Sequence, residues 1–238
     1  MALCHRYRSQ LLGDSLSVRR GRTAVDETPK PGDVPLESGD GRRYDRAYFD
    51  KWYRHPTHRV KTATELARQL NFVLHTAEWV LGRPVRTVLD VGCGEGNWQP
   101  VLKKLRPNIE YDGVDPSAYA VERFGVRRGL QQGSIEALDA MQLRAGYDLV
   151  VCCGMLNYLS AAQFRRGAAQ VARRVGGVAY LEIFAKGDAF EGDTDWPPPK
   201  SAEWYRGVLG KTGLRSIGMQ CYVTDARKSL IARMERGW

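Results

Sequence analysis

"VLDVGCGEGNW", residues 88–98, sets three glycines within five positions directly behind an apolar run. An apolar run that breaks into glycines reads as a buried strand entering a tight loop, with a helix beginning near Asn97. Glycine takes positive φ without steric cost and lets a ligand lie against the main chain. In open parallel sheets, ligands sit outside the carboxyl ends of the strands, which is where Gly92, Gly94 and Gly96 fall. The dinucleotide fingerprint G-x-G-x-x-G would need glycine at position 97, where Asn97 stands, so a nicotinamide cofactor is disfavoured.

Downstream, strand and helix signals alternate. Strands are predicted at 86–92, 109–115, 129–134, 147–154 and 176–185, with helices at 97–105, 118–129, 160–175 and 201–213. Two closing strands, "LRSIGMQCYVT" (214–224) and "SLIARMER" (229–236), follow with no helix between them. The fold class is therefore α/β, with a seven-stranded, mostly parallel sheet, helices on both faces and an antiparallel hairpin at one edge.

Upstream, Thr62 and Glu65 form a capping box ahead of a helical stripe, Leu66, Leu70, Val73, Leu74, Ala77, Val80 and Leu81. Gly82 and Pro84 stop it. Before that helix, Tyr44, Tyr48, Phe49, Trp52 and Tyr53 crowd together, either packing the helix onto the sheet or forming a lid over the loop. Residues 1–43 mix Gly, Pro, Ser and charge and are expected to be a disordered tail. Their Arg-rich, acid-poor start has the composition of an organelle transit peptide, but an unstructured extension is the reading preferred here. Residues 44–238 then form one domain, with 44–82 capping a core over 83–238.

Composition is ordinary for a globular chain, with 43% apolar residues among 238. No run reaches the ~18 apolar residues that cross a bilayer. Five cysteines without C-x-x-C spacing read as reduced thiols of a cytoplasmic protein, and four histidines make no zinc motif, so no metal is expected. The net charge of +9 is spread without a dense block, which favours a basic surface over a nucleic-acid site.

The next strand ends in "YDGVDPS", placing Asp115 at the neighbouring strand tip, with Pro116 beside it. A carboxylate there can accept hydrogen bonds from both hydroxyls of a ribose. It can equally cap the helix behind Pro116.

Taken in order, "VLDVGCGEG", "YDGVDPS", "QQGSIEAL" and "YDLVVCCGMLNYL" resemble the motif series of class I S-adenosylmethionine-dependent methyltransferases, from about Val88 through the fifth strand. The resemblance implies a Rossmann-like fold and S-adenosylmethionine as cofactor, with S-adenosylhomocysteine as product. It implies that Asp90, Gly92, Cys93, Gly94, Glu95 and Gly96 cradle the methionine part, and that Asp115 holds the ribose. Ser134, Ile135 and Glu136 would border the adenine, with Ser134 standing where many relatives carry aspartate. Cys153 and Gly154 would lie beneath the methionine amino group. Tyr44 and Tyr53 either pack the core or touch cofactor or substrate, and Arg59 and Lys61 either pair with the cofactor carboxylate or lie on the solvated surface.

Catalytic candidates are fewer. Asn157 stands where relatives often carry histidine and can orient a substrate but not take its proton. Glu182 is a candidate base or amine-binding group, or else a carboxylate satisfied by neighbouring helix or arginine donors, and Tyr53 a hydroxyl over the cleft. The proline-rich, acidic stretch "FEGDTDWPPPKSAEWY" either faces the substrate through Trp196 or Tyr205 or is a solvated connection. The resulting expectation is methyl transfer to a small-molecule oxygen, nitrogen or carbon acceptor. An RNA or protein methyltransferase, or a non-catalytic cofactor-binding relative, is the alternative.

Overall fold

A central sheet of seven strands runs in the order β3-β2-β1-β4-β5-β7-β6 in the computed structural model, which describes residues 44–190, 192, 193 and 195–231. The five strands predicted first are β1 (Thr87–Val91), β2 (Glu110–Asp115), β3 (Leu130–Gln132), β4 (Tyr147–Cys152) and β5 (Val175–Leu181). All five pair in parallel. Strands β6 (Leu214–Gly218) and β7 (Cys221–Thr224) pair antiparallel with each other, and β7 pairs antiparallel with β5. The expected edge hairpin is present, but both its strands lie within 214–224. Met219 and Gln220, with φ of 49° and 61°, make the turn between them. Ser229 and Leu230, expected to open the last strand, instead end a 3-10 turn, Asp225–Leu230, and 232–236 lies outside the described residues. The expected tail, 1–43, lies outside them as well.

The helices divide between the two faces. α1 (Arg46–Phe49) runs into a π turn (Asp50–Arg54), and α2 (Ala63–Leu81) carries the predicted capping box, Thr62 with Glu65. α2 and α3 (Trp98–Leu105) pack with Val88, Leu149, Val151, Val178 and Tyr180 on one face. The opposite face, lined by Leu89, Val91, Val150, Ala179 and Leu181, is covered by α5 (Ala161–Arg174) and α6 (Ala202–Lys211). α4 (Ala118–Arg128) places Phe124 on the first face. Strands buried on both sides read as continuous apolar runs, which is why β1, β4 and β5 were legible. Among the described residues no helix is long and apolar enough to cross a membrane.

Strand order reverses between β1 and β4, so the crevice beyond their carboxyl ends is the site this topology offers to a ligand. It is bordered by the glycine loop after β1, Asp115 at the tip of β2 and the turn Leu156–Tyr158 after β4.

Candidate functional site

The glycine loop folds back onto the tip of β2. Gly92 N and Cys93 N both donate to Val114 O, at 2.7 and 3.2 Å, and Gly94 N donates to Asp115 Oδ2 at 2.6 Å. Asp115 Oδ1 accepts from Ser117 N at 2.9 Å, so the carboxylate holds the loop and the start of α4 together. Ser117 itself caps α4 through Ala120 N, the role the sequence also allowed for Asp115. Burial raises the Asp115 carboxyl to about 6, against the hydrogen bonds from Ser117 and Gly94 that lower it. Each carboxylate oxygen has two acceptor sites, so one on each oxygen is left for a ligand hydroxyl.

What presses on the glycines is the chain's own side chains. A Cβ at Gly92 (φ 71°) would sit 2.4 Å from Met155 Cγ, and one at Gly94 (φ 54°) would sit 2.3 Å from the Tyr53 hydroxyl and 3.0 Å from Phe49. At Gly96 the obstacle would be Leu130. From the sequence, the missing side chains point to a ligand or to an ordinary tight turn. The structure shows that close packing of the α1 segment and of Met155 against the loop requires them too.

Asp90 lies beneath the loop, 2% exposed, and accepts from the Tyr111 hydroxyl at 2.7 Å. Burial first, and the nearby Asp115 charge, push its carboxyl up to about 7. Cys93 is buried, its thiol directed at Gly94 O. Glu95 is 3% exposed and meets the π turn, where Arg54 Nη2 donates to both its oxygens at 2.5 and 2.6 Å. Arg128 Nη1 fastens the loop from α4, donating to Glu95 O and Asn97 Oδ1.

The aromatic crowd lies over this crevice. Tyr44 O accepts from Ser117 Oγ at 2.6 Å, so the segment is tied to the site at Ser117 and again at Glu95. Phe49 stacks on Tyr119 and meets Tyr53 edge-on. Burial, then the Asp115 charge, raises the Tyr53 hydroxyl well above its ordinary range, so Tyr53 stays protonated and is unsuited to act as a base.

Arg59 is exposed, whereas its neighbour Lys61 enters the structure. Lys61 Nζ donates to Glu182 Oε1 and Oε2 at 3.2 and 3.3 Å and to Cys153 Sγ at 3.2 Å. The Cys153 thiol donates to Glu182 Oε2, and Gln69 Nε2 donates to Glu182 Oε1 and the Tyr180 hydroxyl. Burial alone would raise the Glu182 carboxyl, but Lys61 and the Cys153 thiol hold it below its usual value. A carboxylate so satisfied is a poor proton acceptor. Burial and Glu182 push the Cys153 thiol up to about 12, so it remains protonated. Gly154, at φ 71°, is exposed beside this cluster.

Asn157 is 5% exposed and engaged by backbone at both ends of its amide. Its Nδ2 donates to Phe184 O at 2.7 Å, and its Oδ1 accepts from Phe184 N at 3.0 Å. It therefore fixes the loop that follows β5, and its amide is oriented by Phe184. Asn157→Ala leaves both Phe184 groups without their partner, and unfolding free energy should fall by about 1–3 kcal/mol in a denaturant titration.

Around the expected adenine site, Ile135 is buried in the core against Gly167, and Glu136 pairs outward with Arg166. Ser134, half-buried, precedes the 3-10 turn Ile135–Ala140, and Pro116 O accepts from Gln132. Trp196 joins an aromatic cluster beyond β5, whereas Tyr205 is buried on Phe164. The Lys61–Glu182 pair, the Arg54–Glu95 pair and the Asn157 clamp escaped the sequence reading, because each joins residues far apart along the chain.

Residues 89–177 match the family model described as a methyltransferase domain. An uncharacterized protein of Synechococcus sp. is 30% identical over 115 residues, which is 44% of this chain and 27% of that protein. The match thus spans about a quarter of that relative's length. Among solved structures, DesVI of Streptomyces venezuelae superposes with a TM-score of 0.55 at 15% identity, over 68% of this chain and 93% of that one. The sugar N-methyltransferase of a Streptoalloteichus species gives 0.53 at 19% identity, over 82% and 92%. An amino pentose methyltransferase of Micromonospora echinaspora, solved with S-adenosylmethionine, gives 0.51 at 17% identity, over 63% and 84%. At such identities the likeness is one of fold. Residues 89–177 are thus similar to a methyltransferase domain, and they lie on the Rossmann-like fold that these solved methyltransferases share.

Proposed function

We propose that this protein is an S-adenosylmethionine-dependent methyltransferase acting on a small-molecule acceptor. One observation carries the proposal: a buried carboxylate, Asp115, stands at the tip of β2 against the glycine loop, at the point where the strand order reverses. That is a built acceptor for the two hydroxyls of a ribose. The methyltransferase-domain match over the same residues supports it. When bound, the cofactor supplies a methyl group already activated on a sulfonium sulfur.

The residues of the chain bind, orient and exclude water. Asp115 takes the ribose, and the loop 90–96 with Gly154 supplies close backbone. Tyr53 and Phe49 cover the Gly94 side of the crevice, so a nucleoside enters as the α1 segment shifts. A π turn at Asp50–Arg54 suits such a shift, since irregular helical turns of this kind recur at functional sites. Aligning acceptor and methyl in a dry cleft is worth ~7–11 kcal/mol of barrier, and no side chain need take a proton to achieve it. Glu182, Asn157 and Tyr53 serve as framework and cover rather than as base. The four described cysteines are free thiols, which fits a reducing, cytoplasmic setting.

The test is calorimetric titration with S-adenosylhomocysteine across pH. Asp115 titrates near 6; below that it is neutral and a weaker acceptor for hydroxyls. Affinity should therefore strengthen as pH rises from about 5 to about 7 and then level off. No binding at any pH would overturn the proposal.

A further inference from the structure

One cluster beyond the cofactor crevice is unused by the chemistry so far. Tyr158, in the turn after β4, and Phe184, Phe190 and Trp196, in the loop after β5, meet at the carboxyl end of the sheet. Ring centroids lie 4.5 Å apart for Phe190 and Trp196, 5.4 Å for Tyr158 and Trp196, and 6.2 Å for Phe184 and Trp196, the last pair stacked. All four rings are half-buried, unlike core aromatics such as Phe164. The Asn157 clamp on Phe184 holds the cluster from below. At its inner edge the Tyr158 hydroxyl lies 3.3 Å from that of Tyr48 on the α1 segment, so the cluster adjoins the cover of the cofactor crevice.

The charge around these rings runs against that of the whole protein. Residues 182–200 carry five carboxylates and two lysines in a chain of net charge +9. Glu182 is neutralised by Lys61, but Asp193 is not tied to a cation among the described residues. Its Oδ2 accepts from the Tyr158 hydroxyl at 3.0 Å, and its Oδ1 from Asp195 N. Aromatic faces carry partial negative charge and attract organic cations, most strongly where water is partly excluded. An acidic mouth on a basic protein raises the local concentration of positively charged ligands and repels anionic ones.

We propose that this wall receives the methyl acceptor, and that the acceptor is an organic cation, a molecule bearing an amine that is protonated in solution. Its charged group lies against the faces of Trp196 and Phe190 with Asp193 close by. This rests on the methyltransferase reading and narrows it to nitrogen acceptors. The ammonium first gives its proton to water. The freed nitrogen lone pair then forms the new C–N bond as the S–CH3 bond breaks, its electrons returning to sulfur as a neutral thioether.

The wall can be tested apart from the chemistry. Choline and its uncharged carbon isostere, 3,3-dimethylbutan-1-ol, are titrated into the full chain, with S-adenosylhomocysteine binding measured separately on the same samples. Choline should bind about tenfold or more tightly than the isostere. Trp196→Leu and Phe190→Leu, which keep apolar bulk and remove the ring face, should each abolish most of that preference. Asp193→Asn should reduce it several-fold, and all three should bind S-adenosylhomocysteine within about twofold of the parent protein. Equal binding of the two probes, or binding of neither by protein that takes S-adenosylhomocysteine, overturns the proposal. Selective choline binding without any S-adenosylhomocysteine binding upholds the wall and overturns the methyl-transfer reading instead.

Discussion

Replacing Lys61 by methionine should lower the unfolding free energy by about 3–5 kcal/mol, the usual loss when one partner of a buried ion pair is removed. Lys61 and Glu182 expose 18% and 7% of their side chains, so neither charge is well solvated. Methionine fills the volume of the lysine stem but leaves the Glu182 carboxylate, among the described residues, with Gln69 and the Cys153 thiol as its partners. At roughly 2–4 °C per kcal/mol for a chain of this size, the melting temperature should fall by about 10 °C. The double variant Lys61→Met with Glu182→Leu should recover most of the loss, because it buries no unpaired charge. Full recovery of stability together with retained transfer activity would confirm that Glu182 is framework. A loss of under about 1 kcal/mol in the single variant would show that water reaches the pair.

Asp115→Asn should weaken S-adenosylhomocysteine binding by about 1.5–3 kcal/mol, the worth of hydrogen bonds to a charged group. That corresponds to roughly tenfold to a hundredfold in the dissociation constant. Asparagine keeps the shape of the side chain but can accept from only one of Gly94 N and Ser117 N, so some stability goes with it. Titration is therefore run well below the variant's melting point. The pH profile separates the two effects. The rise in affinity through about pH 6 belongs to the Asp115 carboxyl and should vanish in the variant. Parent-like affinity with the rise intact would remove Asp115 from the ribose site.

Much of this architecture could be read from the chain because its information is local. The runs "TVLDV" and "YDLVVC" are apolar almost throughout, as strands covered on both faces must be, and Thr62 with Glu65 announces α2 in four residues. The edge hairpin was misplaced for a reason of the same kind. A tight turn at Met219 and Gln220 has no Asn-Gly signal, so one apolar stretch looked like a single strand. Residues 225–230, lacking alternation, form a 3-10 turn. Site roles were less legible, because they depend on partners that sequence spacing does not reveal. Arg59 and Lys61 look alike in sequence, yet among the described residues only Lys61 meets a carboxylate, one that lies 121 residues away. Asn157 had the right chemistry to orient a substrate, but Phe184 claims both ends of its amide.

The edge hairpin carries a temporal consequence. Gln220 O accepts from Leu181 N, and its side-chain oxygen accepts from Ile183 N, so the turn at 219–220 seats the end of β5 and the start of the aromatic loop. During synthesis from the ribosome, β1, β2 and their intervening helix emerge together and can dock early. The seat of the aromatic loop must wait for residues 214–224. A nascent chain stalled before that point would hold Asp115 against its glycine loop while the end of β5 and the rings beyond it lacked their partners at Gln220.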